Sequence, residues 1–183
     1  MTEPTRRSKS GESIGSIPAF AELIARKRGE TGISGLPSRI LAIDPGDTTG
    51  WALFVDGTLA EWGHVGGNFT TLETLIKTAR PDVLVVEEYR IYGWRAKQHS
   101  WSDVPTLRLI GAIQMLAAQQ RMPIVMQTAQ QAKGFSEDEK LRAWNFYQTG
   151  MKHANDAIRH GCYYILFGTK PEQTDERPTS TSN

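Results

Sequence analysis

Cysteine is nearly absent from this sequence: Cys162 is the only one, so no intrachain disulfide and no zinc–cysteine cluster can form. That usage fits a reducing, cytoplasmic setting. No apolar run approaches the roughly 18 residues that a membrane-spanning helix needs, and the N-terminus lacks a secretory apolar core. Charge of one sign is also missing. Lys and Arg total 21 against 20 Asp and Glu, so any polyanion-binding surface has to be local. No internal repeat is present. What remains, 39% hydrophobic and 22% charged over 183 residues, is the composition of a soluble globular domain with a real core.

Hydrophobic patterning divides the chain into a flexible N-terminal extension over 1–38, a folded domain over 39–168 and a disordered tail over 169–183. In the extension, Pro18 to Arg28 can form one short helix striped by Phe20, Leu23 and Ile24. Arg39 to Asp44 and Gly50 to Val55 read as strands, and Asp56-Gly57 is a hairpin signal that sends Thr58 to His64 back antiparallel. Thr70 or Thr71 can cap a helix to Arg80. Val83 to Val86 is an apolar strand needing cover on both faces, and it ends in Glu87-Glu88. A helix over Val104 to Arg121 follows, with Leu107, Ile110, Ile113, Met115 and Leu116 in mostly helical spacing. Then come a strand at Pro123 to Gln127, a helical turn at Ala129 to Lys133, a helix capped by Ser136 with Glu139 and running to Gln148, and a last helix from Lys152 to Phe167. The expected fold is α/β: a mixed five-stranded sheet, an antiparallel meander followed by parallel strands, flanked by helices.

The feature that organises the chain is Ile40-Leu41-Ala42-Ile43-Asp44, followed by Pro45-Gly46. An aspartate at the end of a buried strand costs free energy unless something pairs with it, and a divalent cation is a common partner. A second acid ends the fourth strand. Glu87 and Glu88 both stand there, and alternation along a strand lets only one of them face Asp44. The last helix adds His153 and Asp156 at i, i+3 on one face, with His160 roughly in line beyond them. Ala154, Ala157 and Gly161 are small enough to bring that helix close to the sheet. Such a cluster suits one or two Mg²⁺ or Mn²⁺ ions, which as a pair about 4 Å apart clamp a scissile phosphate.

These segments resemble the RuvC family of Holliday junction resolvases, which have the RNase H-like fold. Ile43-Asp44-Pro45-Gly46 with Thr49-Gly50-Trp51-Ala52 is similar to the family's first motif, and Val86-Glu87-Glu88 to its second. His153-Ala154-Asn155-Asp156-Ala157 is similar to its third. Leu109-Ile110-Gly111-Ala112 and Ala132-Lys133 fit the places of the long helix and of a basic residue near the active site. The resemblance covers about Arg39 to Phe167 and favours Glu87 over Glu88. It implies Asp44, Glu87, His153 and Asp156 as catalytic metal ligands. It further implies two Mg²⁺ or Mn²⁺ ions per site, no small-molecule cofactor, and a homodimer. The implied activity is paired symmetric cleavage of four-way DNA junctions that leaves 5′-phosphate and 3′-hydroxyl ends, in a divergent member of phage type.

Directly beyond Glu88, Tyr89 to Trp101 interleaves aromatic and cationic residues, a composition that meets phosphates and stacks on unpaired bases. Tyr89, Arg90, Tyr92, Trp94, Arg95 and Lys97, with Arg108 and Lys133, are the expected nucleic-acid contacts. Trp101 reads as a core or interface residue beneath that loop. The turn from Pro45 to Gly50 reads as a hairpin that lets DNA backbone approach. Competing functions are an RNase H-like nuclease acting on forks, flaps or RNA–DNA hybrids, an actin- or sugar-kinase-like ATPase, and a catalytically inert junction-binding scaffold. The ATPase would use Asp44-Pro45-Gly46-Asp47-Thr48-Thr49-Gly50 as a phosphate loop, but no second glycine-rich phosphate loop is present.

Overall fold

The computed structural model describes residues 17–31, 35–89 and 105–168. The elements run in the order α1 (Phe20–Thr31), β1 (Arg39–Asp44), β2 (Thr48–Val55), β3 (Thr58–Gly66), α2 (Phe69–Ala79), β4 (Val83–Glu88), α3 (Pro105–Gln119), β5 (Ile124–Thr128), α4 (Ala129–Phe135), α5 (Asp138–Ala143) and α6 (Lys152–Phe167). The five strands form one sheet in the order β3-β2-β1-β4-β5. β1, β2 and β3 pair antiparallel, while β4 lies parallel to β1 and β5 parallel to β4. The hairpin between β2 and β3 turns at Asp56-Gly57, both with positive φ, as the right-handed strand twist requires of a two-residue turn.

Alternation along the strands builds two cores. Ile40, Ala42, Phe54, Val83, Val85 and Val125 face α6 with Ile158, Cys162 and Ile165. Leu41, Ile43, Leu53, Leu84 and Val86 face the other way, onto α2 and α3 through Leu72, Ile76, Leu109 and Ile113. This is why β4 had to be apolar on both faces.

α6 lies very close to the sheet, and two glycines make that possible. A Cβ on Gly50 would overlap the backbone carbonyl of His153, and one on Gly161 would overlap the Phe54 ring. The room over Gly50 itself therefore belongs to α6 and not to an approaching DNA backbone.

Three local expectations are revised. Ser136 caps no following helix. It is fully buried at the C-terminus of α4, and α5 is a short helix over Asp138–Ala143 whose N-cap, Glu137, makes no side-chain cap bond. The capping box belongs to α4 instead, between Thr128 and Gln131. Asn68 rather than Thr70 or Thr71 caps α2, its Oδ1 accepting from Thr71 N at 3.0 Å. Leu107 and Met115 are exposed at 42% and 55%, off the buried stripe of α3.

The segment before Arg39 is not simply an extension. Phe20 of α1 is 5% exposed, packed 5.0 Å from Trp144 and 5.3 Å from Phe146, and Trp144 Nε1 donates to Pro18 O at 3.0 Å. The short helix expected in this segment is α1, and it packs through Phe20 against Trp144 and Phe146.

Gly50→Ala should lower stability by about 3 kcal/mol or more, because the clash is with backbone rather than with a side chain that can swing away. Gly111, which has open space around its Cα, should tolerate Ala and gain up to about 1 kcal/mol of helix propensity. Urea unfolding of both variants checks the pair.

Candidate active site

The parity of the two cores decides which side chains meet. Asp44 follows Ala42 and Ile40 on the α6 face of β1, Glu87 follows Val85 and Val83 on that face of β4, and Gln127 follows Val125 on that face of β5. Ile43 pairs with Val86 and Glu87 with Gln127, so the three form a row across the carboxyl ends of three neighbouring parallel strands. Glu88 falls on the opposite face and lines a cavity with Leu107, Ile110 and Gln114 of α3. Ligands of open α/β sheets bind outside this end of parallel strands.

α6 crosses above the row and answers it at every second turn. His153 Nδ1 donates to Asp44 Oδ2 at 2.8 Å. His160, seven residues on and fully buried, places Nε2 2.9 Å from Glu87 Oε2 and Nδ1 3.0 Å from Gln127 Oε1. Between them Asp156, 4% exposed, binds Arg159 Nη1 through Oδ1 at 2.6 Å and meets Lys133 Nζ at 3.3 Å through Oδ2. Arg159 also donates from Nε to Ser136 O at 2.7 Å and pairs with Asp138. The N-terminus of α6 is held by His64 of β3, whose Nε2 accepts from Ala154 N at 3.2 Å. Asn155 fastens the preceding loop through two bonds to the Gln148 backbone, at 2.8 and 2.7 Å.

The electrostatics follow from this placement. Burial, with the charges of Glu87 and Asp156, pushes the Asp44 carboxyl from 3.8 up to about 6, although the bond from His153 pulls the other way. Burial also acts to raise Glu87, but the hydrogen bond and charge of His160, with Lys133 and His153, outweigh it and hold Glu87 below its ordinary value. Asp44 is thus the carboxylate left short of positive charge.

Among the described residues, no three His, Cys, Asp or Glu side chains surround a common point closely enough to hold a metal ion. Each acid is engaged by a protein partner instead. The donor set nevertheless fits a hard divalent cation in kind. It offers three carboxylates at one sheet end, an excess of negative charge felt by Asp44, and an imidazole whose Nδ1 is committed to Asp44, leaving Nε2 as its remaining ring nitrogen.

Of the expected site residues, Asp44, Glu87, His153 and Asp156 are brought together, with Lys133 beside Asp156. Tyr89 lines the cavity that also holds Glu88. Arg108 lies on α3 in a groove with Phe69 and Met115, lined by α2 and α3. Arg90, Tyr92, Trp94, Arg95, Lys97 and Trp101 lie outside the described residues. Sequence reasoning passed over Gln127, Arg159 and the bond from His160. The heptad spacing of His153 and His160 was the available signal for the last.

No protein-family model matches the chain, and no curated protein matches its sequence. Solved structures do match. Thermus thermophilus RuvC in complex with a Holliday junction substrate superposes with a TM-score of 0.56 at 16% identity, over 73% of this chain and 98% of that one. This is the RuvC-type, RNase H-like fold. A second Thermus thermophilus RuvC structure gives 0.54 at 18% identity, over 73% and 99%. The yeast mitochondrial Holliday junction resolvase Ydc2 gives 0.45 at 13% identity, over 80% and 92%.

The raised pKa of Asp44 has a thermodynamic sign. Between pH 4 and 6 the folded chain binds more protons than the unfolded one, so this group favours folding least above pH 6, where it must ionise in place. In chelator, Asp44→Asn should be more stable than the parent at pH 7, by at most about 3 kcal/mol, with the difference closing as pH falls to 4. Thermal unfolding of both proteins across that range measures it.

Proposed function

We propose that this chain is a structure-selective endonuclease that hydrolyses phosphodiester bonds in branched DNA, four-way junctions first, through paired nicks leaving 5′-phosphate and 3′-hydroxyl ends. One observation carries the reading: the row Asp44–Glu87, answered by His153 and Asp156 from α6, at the carboxyl end of a RuvC-type sheet. One of the matching RuvC structures was solved with a Holliday junction, which supports the choice of substrate.

Asp44, Glu87, Asp156 and His153 would hold Mg²⁺ or Mn²⁺, two ions in the reading we favour, supplying Lewis acidity to the phosphate and a hydroxide at neutral pH. The chain's own groups do the rest. Asp44 fixes the ring of His153, which would present Nε2 to the cation. Lys133, about half exposed, stands where its ammonium can pass from Asp156 to an incoming phosphate oxygen. The dense packing of α6 onto the sheet excludes water from one side of the site. The basic and aromatic segment from Tyr89 to Lys97 follows Glu88 directly and is the proposed contact for the junction arms.

A homodimer suits paired cutting, and the exposed Phe69 and Met115 on α2 and α3 offer an apolar face for it. Met115→Lys should shift the sedimentation of the protein towards monomer and uncouple the two nicks.

The direct test is a gel assay on a fixed four-way junction beside a fork, a flap, an RNA–DNA hybrid and a linear duplex. With Mg²⁺ the junction should be cut preferentially. Ca²⁺ should permit binding without cutting, because its looser coordination aligns the water poorly. Asp44→Asn should reduce cutting by more than about 100-fold while junction affinity holds or rises, since it removes negative charge near phosphate. Full-rate cutting by that variant would overturn the mechanism, and preferential cutting of the hybrid would assign the substrate differently.

A further inference from the structure

We propose that His160, braced by Gln127, is a positioning residue that fixes the Glu87 carboxylate at the end of β4 and so equips Glu87, not Glu88, as the cation ligand. The inference rests on the proposed nuclease reading and deepens it.

His160 has no packing reason to be a histidine. It is fully buried in the middle of α6, a place where leucine or isoleucine would fill the space without a polar atom to satisfy. Both of its ring nitrogens are instead used, on residues of two adjacent strands, and the target of one is a carboxylate at the site. Gln127 is likewise fully buried, and its Nε2 has no partner while its Oε1 faces His160 Nδ1. A half-turn of that amide would direct Nε2–H onto His160 Nδ1. With the amide so turned, a neutral ring donates Nε2–H to Glu87 Oε2; with Oε1 facing Nδ1, the same bond needs a proton on both ring nitrogens.

Direction is the functional point. Glu87 and Glu88 are adjacent acids that the strand sends to opposite faces. A carboxylate on a long side chain at a strand end would sample several rotamers. With Oε2 tethered from α6, the carboxylate is held over the α6 face beside Asp44. The tether takes one oxygen and leaves the other for a cation. A carboxylate or imidazole oriented in this way by an outer partner typically binds metal some 10- to 100-fold better than one left loose.

The experiment compares His160→Leu, which removes both bonds, with His160→Gln, whose amide can donate from the position of Nε2. Mn²⁺ affinity by calorimetry and junction cleavage are read for each, and a double-mutant cycle of His160→Leu with Glu87→Gln is read by unfolding in chelator. We expect His160→Leu to fold, to lose about tenfold or more in Mn²⁺ affinity and in kcat with junction affinity unchanged, and to couple to Glu87→Gln in the cycle. His160→Gln should regain most of both losses, which a mere packing role would not produce. Gln127→Leu should cause a smaller loss in the same direction. Unchanged Mn²⁺ affinity in a folded His160→Leu protein, or additivity in the cycle, would overturn the assignment. Absence of Mn²⁺ binding or junction cutting in the parent protein would instead overturn the nuclease reading on which it rests, and the cycle alone would then show whether His160 holds Glu87.

Discussion

The close approach of α6 to the sheet is the constraint on which the rest of this structure depends. It is set by absent atoms: Gly50 and Gly161 carry no Cβ, and Ala154 and Ala157, both fully buried, carry little more. Only at this separation can one helix reach β1 with His153 and β4 with His160, two turns apart, by direct hydrogen bonds. A larger residue at Gly50 would lift the helix at its first turn, where His64 receives Ala154 N–H and where His153 begins the row. Packing and chemistry are therefore the same contact seen from two sides.

That contact concentrates ionisable groups in a place that would otherwise be apolar, and the protein meets the cost unevenly. Asp156 is enclosed by Arg159 and Lys133, and Glu87 is held low by His160. Asp44 has one histidine against two neighbouring carboxylates and is raised to about 6. The asymmetry is informative. A scaffold that needed only stability would have compensated all three acids or replaced them with apolar residues, since buried charge is weak support for a fold. Asp44 is the acid of the three whose neighbours leave it least compensated.

Much of this was legible before the structure. The strands announced themselves because apolar runs bounded by Asp-Pro-Gly, Asp-Gly and Pro-Asp leave few alternatives, and β1 and α6 occupy the expected residues. Asp44, His153 and Asp156 were legible as an acid at the end of a buried strand or as a pair at i, i+3, whereas strand position left Glu87 and Glu88 undivided and only the family resemblance favoured Glu87. What was not legible depends on contacts across distant segments. Nothing local tells that Ser136 is buried beneath Arg159 rather than capping a helix, since the Ser136–Glu139 spacing is a genuine capping pattern that tertiary packing overrides. The docking of Phe20 between Trp144 and Phe146 joins residues more than a hundred positions apart, and its short helix carries only a weak apolar stripe. Gln127 looked like an ordinary strand end because its partner, His160, lies in a different element.

The turn after Asp44 bears on the choice between two readings of the same sheet. A phosphate loop works by leaving consecutive backbone N–H groups open to an anion. Here the Gly46 N–H donates to Thr49 Oγ1 at 3.3 Å, and the Thr49 hydroxyl donates back to Gly46 O at 2.9 Å. Gly67 N–H closes onto Asp47 O at 2.9 Å, with Gly67 pressed so near Gly46 that no Cβ would fit. The turn has thus folded its polar groups onto itself and onto the start of α2. It serves to present Asp44, not to cradle a nucleotide phosphate. This weighs against the ATPase reading on physical grounds and leaves the carboxylate row as the feature around which catalysis is to be sought.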